Sequence, residues 1–201
     1  MKPLFTIHQG EYLVGAHIEQ HVNGPDNQKV NVWIPSKDTG VDILVTDASN
    51  KKTVALQVKF SKDFLVTHFS NEMQERLLCC GWWTLNRDKI VQSTADFWVF
   101  VLYSFSKVVS SAIQNSRGKN DIQYIIVRPD ELISRLDQIH GSPKSLQTYL
   151  WVTREKQRRC IEARGLKKNN SRSMVLGEEK VPEERDFSQY LNNWDAIFAD
   201  W

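Results

Sequence analysis

Residues 39–60 read TGVDILVTDASNKKTVALQVKF, and the spacing of apolar side chains in this stretch decides the fold. Val41, Ile43 and Val45 flank Asp42 and Leu44, while Val54, Leu56, Val58 and Phe60 alternate with Ala55, Gln57 and Lys59. Alternation with a period of two is the pattern of strands that lay one face on a core. Asp47-Ala48-Ser49-Asn50-Lys51 has turn chemistry, so the stretch is a predicted β-hairpin. Packing both apolar faces on one core turns Asp42, Gln57 and Lys59 together to the other side. A carboxylate, an amide oxygen and an ammonium group placed this way can hold a divalent cation and a phosphate.

Composition bounds what surrounds the hairpin. A chain of 201 residues predicts one domain, or a domain with an extension, and is long enough to bury a sizeable core. With 41% hydrophobic and 25% charged residues it is of globular type, which argues against disorder over most of its length. A net charge of +2 does not establish nucleic-acid binding, so any basic surface must be local. The three cysteines, Cys79, Cys80 and Cys160, form neither a disulfide framework nor a zinc spacing. They read as reduced core thiols of a cytoplasmic protein. The first residues, MKPLFTIHQGEY, lack the apolar run of a signal peptide, and no segment is long and uncharged enough to span a membrane.

Outward from the hairpin, Thr6-x-x-Gln9 resembles a capping box and Asn23-Gly24-Pro25 is a stop signal, which predicts a helix over residues 7–22. Val14, Ile18 and Val22 form its apolar stripe, and Glu11 falls on that stripe. Residues 29–34 read as a first strand and 71–78 as a short helix ending before Gly81-Trp82-Trp83. Residues 97–103 are a near-continuous apolar run, as in a central strand covered on both faces. Residues 123–127 read as a strand and 131–139 as an amphipathic helix. Over 146–163, two strands joined around Arg154-Glu155-Lys156-Gln157 compete with a helix over 154–163. The polar residues 166–185 read as a loop or linker after a domain of residues 1–165. Residues 186–201 read as a helix docking back through Phe187, Tyr190, Trp194 and Phe198.

Helix, strand, hairpin, helix, strand and strand in this order, with Glu11, Asp42, Gln57 and Lys59 in these places, resembles the PD-(D/E)XK nuclease superfamily. The likeness covers roughly residues 6–127 and takes the form of its Gln-x-Lys variant. It implies an α/β fold with a restriction-endonuclease-like mixed central sheet flanked by helices. It also implies Asp42, Gln57 and Glu11 as metal ligands, Lys59 as the catalytic lysine and Mg²⁺ or Mn²⁺ as cofactor. The partner it implies is DNA, cleaved to leave a 5′-phosphate, with a homodimer left open. Val41 stands where the family commonly has proline, and Gln57 where it commonly has an acid.

The chemistry agrees with the residues. Asp42 supplies one strong anionic ligand, Glu11 adds charge, Gln57 offers a neutral oxygen, and Lys59 can orient water or oppose charge building on a phosphate. Lys62, Arg117 and Lys119 are the expected phosphate contacts, with Arg154, Lys156, Arg158 and Arg159 as further candidates. Each has a plainer alternative: Asp42 paired with Lys59, Glu11 as a helix-end charge, or basic runs that are merely solvated. Trp98, Trp151 and Trp194 read as core, leaving Trp82 and Trp83 as the pair for a substrate surface. His8, His17, His21, His68 and His140 lack ligand spacing. The competing function is a catalytically weakened fold of this kind that binds nucleic acid or protein.

Overall fold

The structure is a computed structural model that describes residues 4–36, 40–61, 70–103 and 122–201, with side chains of the leading helix described from His8 onward. That helix, α1 (Leu4–His21), precedes β1 (Val30–Trp33), β2 (Ile43–Asp47) and β3 (Thr53–Ser61). It begins before Thr6, which therefore lies inside the helix instead of capping it. The expected hairpin is present: β2 and β3 pair antiparallel, with Ile43 opposite Leu56 and Val45 opposite Val54. Asp47 closes the turn, its Oδ1 accepting the Lys51 and Lys52 N–H groups at 2.7 and 2.9 Å.

From β3 the chain runs through α2 (Asn71–Arg76), β4 (Leu77–Asn86) and α3 (Arg87–Val91) to β5 (Phe97–Tyr103), which lies parallel to β3. β6 (Ile122–Val127) pairs antiparallel with β5 and completes a five-stranded sheet in the order β1-β2-β3-β5-β6. α4 (Pro129–His140) leads to β7 (Ser145–Thr153) and β8 (Cys160–Glu162), which join β4 in an antiparallel sheet of their own. The fold class is α/β with a mixed central sheet flanked by helices, as the sequence predicts.

Burial explains the layers. Val14, Ile18 and Val22 of α1 lie with Trp194 and Phe198 of the tail against Ile43, Val45, Leu56, Val58, Val99 and Val101 of the central sheet. Full burial of each aliphatic side chain contributes about 1.5–3 kcal/mol. On the sheet's opposite face, Trp98, Phe100 and Leu102 meet Trp83, Leu85, Leu150 and Val152 of the second sheet. The outer face of that second sheet is covered through Met73, Trp151, Met174 and Val175.

Three regions differ from expectation. The predicted 71–78 helix stops at Arg76, and β4 takes over for ten residues. Leu77 and Cys80 are buried in one core and Leu78 and Cys79 in another, with a register shift between Leu77 and Cys79, so both faces of the segment are covered, as a one-faced helix would not be. Gly81 admits the ring of Trp83, since a Cβ there would lie 2.2 Å from it. The 166–185 segment contains α5 (Lys168–Leu176), whose Ser171, Met174 and Val175 are buried beneath an otherwise polar surface. The tail forms 3₁₀ turns (Ser188–Tyr190 and Trp194–Phe198) instead of an α-helix, yet all of its aromatic anchors are buried. Asn192, with φ 53°, breaks the helix and exchanges hydrogen bonds with the Tyr124 backbone at 2.7 and 2.9 Å. Of the alternatives over 146–163, the two strands form.

Further along, Glu162 is fully buried and compensated: Arg185 Nη1 donates to its Oε2 at 2.8 Å, and the Tyr149 and Arg164 N–H groups to its Oε1 at 3.1 Å each. Among the described residues no helix is long and apolar enough to cross a membrane.

The contact that sets α1 on the sheet is made at Gly10. A Cβ on Gly10 would come within 2.7 Å of Phe60 Cβ and 3.3 Å of Val58 Cγ1. Because Phe60 Cβ is fixed to the β3 backbone, no side-chain rotation relieves that clash. Gly10→Ala is therefore expected to destabilise the fold by about 1–3 kcal/mol, despite alanine's better helix propensity. Urea unfolding measures this, and a more stable variant would contradict the close approach.

Candidate functional site

Gln57 and Lys59 leave β3 on the side away from α1, where the two sheets diverge around a cavity of about 1030 Å³. Asp42 lies just ahead of β2, anchored by its N–H on Leu56 O at 2.8 Å, and lines the same cavity. Its Oδ2 accepts the Val58 N–H at 2.6 Å and a second hydrogen bond from the Gln57 amide. α1 brings Glu11 to the rim of the cavity, where its side chain is 16% exposed and its Oε2 is 3.2 Å from His8 Nδ1. The Lys59 ammonium lies 4.9 Å from the centre of the Trp98 ring, and the indole N–H donates to Ser93 Oγ at 2.9 Å.

All of Glu11, Asp42, Gln57 and Lys59 thus border one cavity. Lys62, Arg117 and Lys119 fall outside the described residues, as does His68. Three of the further basic candidates have structural work, Arg158 among them through a hydrogen bond from Nη1 to Gln123 Oε1 at 3.0 Å. Arg159 donates to the Met174 and Val175 carbonyls at 2.8 and 2.9 Å, closing the C-terminal end of α5. Arg154 donates to Leu77 O at 3.3 Å. Of the tryptophan pair, Trp83 borders the cavity but is buried, and Trp82 packs edge-on against Tyr149.

Burial pushes the Asp42 carboxyl above its ordinary range, and the nearby Glu11 charge pushes the same way. The Val58 N–H, the Lys59 ammonium and the Gln57 amide oppose that shift without cancelling it. Glu11 and Asp42 thus act on each other across the cavity that both line, and two like charges facing one space would favour a cation there.

The donors available are all oxygens: two carboxylates and one amide. That set suits a hard divalent cation such as Mg²⁺ or Mn²⁺, completed by water and a phosphate oxygen. Among the described residues no group of three or more His, Cys, Asp or Glu side chains gathers around one point, so the site carries less charge than a three-acid version. Gln57 meets Asp42 through its NH₂ group, and its carbonyl oxygen lies on the Gly40 side. Sharing a cation with Asp42 requires the amide to turn over.

Trp98 is in the core, as the sequence predicts, and also borders the cavity; Lys89, Ser93 and Thr94, which carry no sequence signal, line it too. The parallel pairing that sets Trp98 beside Gln57 is a long-range register with no local signature. Compared with family models, curated proteins and solved structures, the chain matches none.

The raised Asp42 value has a stability consequence. A carboxyl whose folded-state value is raised favours the fold while protonated, and that contribution is lost as pH climbs through the raised value. Asp42→Asn, which keeps the shape and an acceptor for Val58, is expected to unfold at higher temperature than the parent at pH 7 without divalent metal. The difference should vanish below the ordinary aspartate value of 3.8. Thermal unfolding across pH tests this, and equal melting at pH 7 would contradict a strained carboxylate.

Proposed function

We propose that this chain is a Mg²⁺- or Mn²⁺-dependent nuclease that hydrolyses phosphodiester bonds of DNA in the cavity beside β3. The observation that carries this reading is the convergence of Glu11, Asp42, Gln57 and Lys59 from a helix, a strand end and the neighbouring strand. Their order and element types resemble the PD-(D/E)XK superfamily in its Gln-x-Lys form. Such a reading fits a cytoplasmic protein with reduced thiols, and a homodimer acting on two strands is compatible with it.

Asp42 and Glu11 would hold the cation, with Gln57 as a neutral ligand once its amide turns. A bound divalent cation would supply charge neutralisation at the phosphate and activation of water. Lys59, which lines the same cavity, would orient the attacking water or oppose charge on the phosphate as the bond breaks. Val58 fixes the Asp42 carboxylate through its N–H, so the ligand is oriented by the strand itself.

One observation favours the runner-up, a catalytically weakened fold that binds nucleic acid or protein. The Gln57 NH₂ on Asp42 satisfies the carboxylate without any cation, as a purely structural pair would.

Two measurements separate these. Plasmid, linear and branched DNA and RNA, incubated with Mg²⁺ or Mn²⁺, are expected to show metal-dependent cleavage of DNA. Asp42→Ala and Lys59→Ala should each lower it by about 100-fold or more while far-UV circular dichroism is unchanged. Cleavage undiminished in Lys59→Ala would remove the lysine from the mechanism. Calorimetric titration of Mn²⁺ is expected to show tighter binding to Gln57→Glu than to the parent, because a carboxylate attracts the ion more strongly than an amide dipole. Equal affinities would take Gln57 out of the metal site.

A further inference from the structure

Deepening this nuclease reading and resting on it, we infer that Trp98 is a positioning residue that holds the Lys59 ammonium at the phosphate side of the cavity. Three observations meet here. Parallel pairing of β3 with β5 sets Trp98 beside Gln57, one step from Lys59 on the same face. Nζ of Lys59 then lies over the indole face, 4.9 Å from its centre, where the ring's negative quadrupole attracts a cation. The ring is itself fixed: it is 3% exposed, packed in the inter-sheet core, and its N–H donates to Ser93 Oγ at 2.9 Å.

A lysine on a strand has four rotatable bonds, and its charge is ordinarily spread over a wide arc of solvent. A catalytic ammonium needs one location, because electrostatic assistance depends on a donor being in place before charge develops. An aromatic face attracts the ammonium without cancelling its charge. Ser93 sits in the loop between α3 and β5 and lines the cavity, so the hydrogen bond to the indole ties the cavity's far wall to the lysine.

The decisive experiment combines a spectrum with a kinetic cycle. In ¹³C-lysine-labelled protein, the Lys59 ε-methylene signal, assigned by its loss in Lys59→Arg, is expected to be displaced upfield by the indole ring. That displacement should shrink in Ser93→Ala, which spares the core, and fall most in Trp98→Phe. Single-turnover cleavage by Trp98→Phe is expected to be slower by roughly 3- to 30-fold with the half-saturating DNA concentration unchanged. Combining Trp98→Phe with Lys59→Ala should add no further loss, as a residue acting only through Lys59 requires. An undisplaced ε-methylene signal in the parent protein, or additive losses in the double variant, would overturn the inference. Absence of cleavage by the parent under every metal condition would instead overturn the nuclease reading and with it the catalytic purpose of the clamp. The spectrum would still decide whether Trp98 holds Lys59.

Discussion

A carboxylate half-buried at the end of a sheet must be compensated, and most of what surrounds Asp42 follows from that constraint. Asp42 sits where the β2–β3 ladder ends. Its Oδ2 takes the Val58 N–H at 2.6 Å, so the acid is oriented by backbone that belongs to the sheet. Gln57 adds an amide donor and Lys59 a positive charge, yet burial still holds the carboxyl above its ordinary range. The fold carries an electrostatic cost here that a well-packed apolar residue would avoid, and Glu11 increases it. On the proposed reading, a divalent cation would offset that cost.

β3 makes the arrangement possible because it is packed on both faces for different purposes. Val54, Leu56 and Val58 bury against α1 and the tail, with Gly10 allowing the helix to come close enough to bring Glu11 to the cavity. The other face carries Gln57 and Lys59 into the space between the sheets, bounded by β4, the α3–β5 loop and Trp98. The second sheet is therefore more than an appendage. It encloses the polar face of β3, turning a row of strand side chains into a lined cavity with lowered dielectric, where charges act on each other more strongly than in water.

How much of this was legible depended on whether the signal was local. The hairpin was readable because alternation over residues 41–60 has a period of two and the turn carries its own chemistry at Asp47. That Asp42, Gln57 and Lys59 line one cavity followed from the same alternation, and Glu11, on its border, is conspicuous as a charge on an apolar stripe. The first half of β4, residues 77–81, was hidden by burial on both faces, which erases alternation, and α5 by a polar surface covering only Ser171, Met174 and Val175. Trp98 is core, as its near-continuous apolar run predicts, but nothing local in such a run shows that the ring also borders a cavity. The tail's anchors were legible from their aromatic character, but its 3₁₀ form depends on Asn192 pairing with Tyr124, a contact across 68 positions.

The central claim is that a divalent cation binds between Asp42 and Glu11. Mn²⁺ titrated into ¹⁵N-labelled protein reports this most directly, because the ion broadens amide signals according to their distance from it. Selective loss of the Glu11, Asp42, Gln57 and Val58 amide signals at the lowest Mn²⁺ additions, abolished in Asp42→Asn, is the predicted result. Broadening that leaves these signals intact, or that persists unchanged in Asp42→Asn, would contradict it.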